Sequence, residues 1–133
     1  MDRAVLLHRY ITSLRETPRY RLGQFDGAIF AADWVLFLTG ADPIAEFRSG
    51  YASRRVAAEQ LAEAGFSAAG DLAAARLQEL SGWCAARVGD VAQLHQGRAA
   101  CFGIVGGAYI HVVHPRVGLD VIRLSAATRM FRP

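Results

Sequence analysis

The stretch from Leu22 to Gly40 constrains the fold of this chain more than any other. Asp26 reads as a helix N-cap, Phe30, Trp34, Phe37 and Leu38 recur near one face at helical spacing, and Thr39-Gly40 closes the pattern. A strongly amphipathic helix of this kind has to lay its apolar face on a second layer of structure. The chain has 133 residues and is 53% hydrophobic, enough for one domain with a core. Gly27 stands at the first turn, where the positive end of the helix dipole is felt. A cysteine placed there would have its thiolate stabilised and its pKa lowered.

Around this helix the order of elements is helices first, strands afterwards. Helix-like apolar spacing runs from Arg3 to about Arg15 and stops at Thr17-Pro18. Asp42-Pro43 begins a short helical turn with Pro43 at its first position. Ser53 caps a helix over Arg54 to about Ala64, ended by Gly65, and Gly70-Asp71 introduces another over Leu72 to Leu80. Gly82-Trp83 marks a change of regime, after which Asp90 to His95, Ala100 to Val105, Ala108 to Val113 and Leu119 to Leu124 read as strands. The breaks are Gln96-Gly97, Gly106-Gly107, which predicts a tight hairpin with a primed turn, and Pro115 to Gly118. The expected fold is α+β: one domain over 1–133, helical over about 1–80 and β over about 83–125, with the N-terminal helices packed on a small antiparallel sheet.

Composition excludes several functions. All 15 basic residues are arginine and the net charge is +3, but the arginines are scattered. The densest group, Arg15, Arg19 and Arg21 around Pro18, reads as a solvated face rather than a nucleic-acid footprint, which would show a concentrated basic stripe. Cys84 and Cys101 read as two reduced thiols. Neither a signal peptide nor an apolar run long enough to span a membrane is present, so the expectation is synthesis in a cytoplasm and no membrane insertion. The sequence also lacks a Walker-type phosphate loop, a Gly-x-Ser-x-Gly elbow and a paired zinc-ligand motif; no cofactor is expected.

The segment Leu22-Gly23-Gln24-Phe25-Asp26-Gly27-Ala28-Ile29-Phe30-Ala31-Ala32-Asp33-Trp34-Val35 resembles the nucleophile helix of the NlpC-type, papain-like cell-wall peptidases. It is closer still to a phage-borne branch of that superfamily, whose pattern reads Trp-Gly-x-x-Asp-Cys-x-x-Phe-x-x-Asp-Trp-Val. Leu38-Thr39-Gly40-Ala41-Asp42-Pro43 and Phe47-Arg48-Ser49-Gly50-Tyr51 resemble that branch's Thr-Gly-x-Asp-Pro and Arg-Gly-x-Tyr. Further on, Gly89-Asp90-Val91, Cys101-Phe102-Gly103-Ile104-Val105-Gly106-Gly107 and Ile110-His111-Val112 resemble the Gly-Asp-Val, His-Val-Gly-Ile and Ile-His-Ala strands of these peptidases. The resemblance spans Pro18 to Leu124 and implies a papain-like fold. By its register Gly27 occupies the nucleophile position, Cys101 the base position and His111 the orienting position. Such hydrolysis needs a thiolate, an imidazole and a group to hold it, so two of the three are vacant. The turn after Val105 is shorter than in the family, and a one-residue slip would put Ala100 or Phe102 at the base position; neither takes a proton.

Plainer readings stand beside these. Gly27 serves backbone geometry at a cap, and Cys101 in an apolar strand is a small buried hydrophobe. As a substitute nucleophile Cys101 would have only His111 as a base. His95, Cys101, His111 and His114 do not make a zinc set, because histidines three apart on an extended segment point to opposite faces. Asp33 reads as a hydrogen-bonding residue, Trp34 and Trp83 as core. Arg19, Tyr20, Arg21 and Tyr51 have the residue types of interface anchors.

The first functional reading is a non-catalytic structural component of a phage tail or tail-like particle, at the tip or baseplate, assembled in the host cytoplasm and carried in the virion. Its partners would be other tail proteins: the hub, the distal tail protein or neighbouring tip subunits. The alternatives are an active cysteine hydrolase of peptidoglycan, and a module that holds peptidoglycan stems or another peptide without cutting.

Overall fold

A computed structural model describes residues 2–14, 19–48, 50–96 and 99–133. Among the described residues four α-helices precede a six-stranded antiparallel sheet, an α+β architecture as the order of elements implies. Helix α1 spans Arg3–Ser13, α2 Gly27–Thr39, α3 Arg54–Glu63 and α4 Ala69–Arg76. The strands are β1 Gln78–Leu80, β2 Val91–Gln96, β3 Ala99–Val105, β4 Tyr109–His114, β5 Gly118–Arg123 and β6 Arg129–Arg132, in the spatial order β1-β6-β2-β3-β4-β5. Among the described residues no helix is long and apolar enough to cross a membrane.

The caps form where side-chain chemistry calls for them. Asp2, Asp26 and Ser53 accept from the first-turn N–H groups of α1, α2 and α3, and Gly40 closes α2. The expected end of α1 at Thr17-Pro18 and the break at Gln96-Gly97 fall on positions 15–18 and 97–98, outside the described residues. The hairpin between β3 and β4 turns on Gly107 at φ +109°, and the Gly106 N–H donates to the Tyr109 carbonyl. Only glycine adopts that φ at no steric cost, as a primed turn requires.

Four expectations need correction. The segment after α4 is not helical to Leu80: α4 starts at Ala69 and stops at Arg76, and Gln78–Leu80 pairs as β1 with Met130–Arg132 of β6. The β half therefore extends to Arg132. The turn at Asp42-Pro43 becomes a 3-10 helix only at Ala45–Phe47, because the Asp42 carboxylate first takes the Ile44 N–H. Helix α2 is apolar on most of its circumference rather than along one stripe; Ile29 to Ala32 is buried without a gap, and Phe37, expected inside, is 50% exposed. Trp83 is 42% exposed in a 3-10 turn, whereas Trp34 is fully buried.

The main core lies between the helices and one sheet face. Leu7 and Tyr10 of α1 and Phe30, Trp34 and Val35 of α2 pack on Val91, Phe102, Ile104, Val113 and Phe131. Burying Phe30 and Trp34 stabilises the fold by about 1.5–3 kcal/mol each relative to exposure. The opposite face carries a second cluster of Ala92, Leu94, Val105, Ile110, Val112 and Met130.

Candidate functional site

The N-terminus of α2 is held by a saturated carboxylate. Asp26 Oδ1 accepts from the Ile29 N–H at 2.9 Å, and Oδ2 accepts from the Gly23 N–H at 2.9 Å and the Tyr51 hydroxyl at 2.8 Å. Asp26 is buried, and these three donors compensate its desolvation. Burial and the Asp26 charge push Tyr51 ionisation far up, so the phenol stays a donor. Tyr51, offered by the sequence as an interface anchor, is half-buried and fastens the helix start; Tyr20 is half-buried too, while Arg19 and Arg21 are exposed.

Against this helix start lies a cleft of about 370 Å3, walled by α3 and floored by Gly27, Cys101 and Phe102. Gly27 and Cys101 do come together: a Cβ built on Gly27 would stand 3.6 Å from the Cys101 Cβ. It would also meet the Phe102 carbonyl oxygen at 3.0 Å and the Phe102 nitrogen at 3.3 Å, so β3 backbone has closed on the space a side chain would need. Burial pushes the Cys101 thiol up to about 11, an effect partly offset by the Arg54 guanidinium.

His111 does not join them. In the sheet it faces Ile104, three positions along β3 from Cys101, roughly 10 Å away at strand rise. Its ring lies against Gly106 at the hairpin, where burial lowers its pKa. The β3 and β4 residues at the cleft are Ala100, Cys101, Phe102 and Val113, and among the described residues no histidine lines it. A one-residue slip changes nothing, since Ala100 and Phe102 are equally unable to take a proton. His114 is occupied elsewhere, its Nδ1 accepting the Arg116 N–H at 3.0 Å in the turn before β5.

The other motif residues prove to be fasteners. Arg48 donates from Nε to Asp42 at 2.6 Å and pairs through Nη2 with Asp33 at 2.7 Å, tying the loop after α2 to its helix. The Arg48 hydrogen bond holds the Asp42 carboxyl below its ordinary range. Ser49 of the same motif lies outside the described residues. At the opening of β2, the Trp34 Nε1–H donates to the Gly89 carbonyl at 2.8 Å. Asp90, 0% exposed, accepts from Arg3 at 3.1 Å, from Arg132 at 2.9 and 3.1 Å and from the Arg87 N–H at 2.8 Å.

A family described as a domain of unknown function, DUF6950, matches residues 2–133, nearly the whole of this scaffold. The chain belongs to the DUF6950 family. Neither a curated protein nor a solved structure matches it.

Among the described residues, the cleft of this DUF6950 domain brings no histidine to the Cys101 thiol. A thiolate nucleophile needs an adjacent base, and the thiol at the cleft, Cys101, has its pKa raised, not lowered. Among the described residues of the DUF6950 domain, no three His, Cys, Asp or Glu side chains converge as metal ligands. Sequence reasoning did not single out Arg54, the cation of the cleft wall. Its signal was present: Arg54, Ala57, Ala58 and Leu61 follow the i, i+3, i+4, i+7 spacing of one helix face behind the Ser53 cap, and all four line the cleft.

Proposed function

We propose that this domain is a non-catalytic structural component of a phage tail or tail-like particle, in the tip or baseplate region, built on a degenerate NlpC-type peptidase scaffold. The observation that carries the reading is the chemistry of the cleft. Gly27 stands where a thiolate would be activated, the neighbouring position holds a half-buried, protonated Cys101, and among the described residues no histidine lines the space. The residues that hold the scaffold, Asp26, Tyr51, Asp33, Arg48 and Asp90, are all present and engaged. A domain that keeps its fasteners while its reacting groups are gone is retained for its surfaces. Placement in a tail comes from the resemblance of Phe25-Asp26 through Trp34-Val35, with Thr39 to Pro43, to the phage-borne branch.

Native mass spectrometry with the proteins encoded beside it tests the reading. The expected result is a stoichiometric complex with a hub, distal tail or tip protein. A monomer that joins none of them contradicts it.

A second reading, a binding module without catalysis, is favoured by the cleft itself. A cavity of about 370 Å3 falls within the ~300–1,000 Å3 of ordinary ligand sites.

A further inference from the structure

Helix α3 covers the cleft yet buries none of its own residues. Its inner face offers Ala57, Ala58 and Leu61 to the cavity beside Gln60, and Leu72 and Phe102 also line it, so the walls are mostly apolar. One charge stands over them. Arg3, Arg48, Arg55, Arg76, Arg129 and Arg132 are each paired with a carboxylate, but Arg54 makes no ion pair or hydrogen bond among the described residues. Among the described residues the only carboxylate lining the cleft, Asp26, is buried and already accepts three hydrogen bonds. Arg54 is exposed where it lines the cleft, and its charge works against the burial that raises the Cys101 thiol.

An apolar cavity beneath a single uncompensated guanidinium selects an apolar ligand with one negative charge. We infer that the cleft beneath α3 receives the carboxyl-terminal end of an apolar segment of a partner protein, its terminal carboxylate taken by Arg54. A chain end supplies that charge without a charged side chain, and a guanidinium matches a carboxylate in two parallel hydrogen bonds. The inference rests on the non-catalytic reading, because a cleft that cut its occupant would release it.

Fluorescence anisotropy with a short labelled peptide of alanine and leucine, with either a free carboxyl end or an amide end, tests this. The free acid is expected to bind saturably and the amide about tenfold more weakly, the loss of one charge-assisted contact. Arg54→Ala should weaken the acid by a similar factor and leave the amide unchanged. Ala58→Trp, at an exposed helix position facing the cleft, should abolish binding of both while circular dichroism stays native. Absence of saturable binding, equal binding of acid and amide, or indifference to either substitution overturns the inference. So does preference for muropeptides over the peptide, which would replace a partner protein with the cell wall. Cleavage of the peptide would overturn the non-catalytic reading and this inference with it, whereas an intact, unbound peptide overturns this inference alone.

Discussion

Gly27 and Cys101 lie side by side on the cleft floor, and the strand that carries Cys101 has closed on the place where a side chain of residue 27 would stand. Replacing a helical glycine by alanine ordinarily stabilises a protein by ~0.4–1 kcal/mol through the unfolded chain. Here the new methyl would meet the Phe102 oxygen at 3.0 Å and nitrogen at 3.3 Å, both backbone atoms of an interior strand. Gly27→Ala should therefore destabilise the fold, by about 1–3 kcal/mol as for overpacking. Chemical denaturation checks this; a gain in stability would mean that β3 yields freely.

Cys101 gives a pH prediction with a definite sign. Burial raises its thiol from the ordinary value near 9 to about 11. Between those values the unfolded chain loses a proton that the folded chain keeps, so the contribution to stability is complete below pH 9 and is lost as pH rises towards 11. The unfolding midpoint of the wild type should fall more steeply over that window than that of Cys101→Ala. Alkylation at pH 8 should modify exposed Cys84 and spare Cys101; equal labelling of the two would contradict the assignment.

Asp90 is the strongest fastener of the scaffold. It is buried, and its partners come from both ends of the chain, Arg3 in α1 and Arg132 in β6. Asp90→Ala leaves two partly exposed guanidinium groups without their carboxylate and should cost about 2–4 kcal/mol, somewhat less than breaking a fully buried ion pair. Thermal unfolding of the variant measures it, and a loss under 1 kcal/mol, no more than an exposed pair contributes, would show that the cluster is not a fastener.

The two tryptophans should behave oppositely. Trp34 is fully buried and donates to Gly89, so Trp34→Ala should cost about 3–5 kcal/mol. Trp83→Ala should stay within about 0.5 kcal/mol, as for an exposed position. Equal losses in denaturant titrations would contradict the placement of Trp83.

What could be read in advance divides along physical lines. Helix starts are local chemistry, so Asp26 and Ser53 marked α2 and α3 before any packing was known. The same holds for the Gly106-Gly107 hairpin. Strand β1 is three residues long, follows a helical pattern and becomes a strand only by pairing with β6 some fifty positions away, which no local signal records. Strand β6 buries two adjacent residues, Met130 and Phe131, on opposite faces of the sheet, so it lacks the alternation that marks a half-exposed strand. At the site, the neighbourhood of Gly27 and Cys101 followed from motif register. The separation of His111 did not, because it depends on hairpin pairing that sets His111 opposite Ile104.

The most direct test of the central claim is incubation of the purified domain with peptidoglycan and measurement of newly released amino groups. The account predicts release no greater than from a heat-denatured control, at every pH at which the domain is folded, because among the described residues the cleft holds no thiolate–imidazole pair. Release by the native domain that disappears in Cys101→Ala would contradict it and restore a working nucleophile to the cleft.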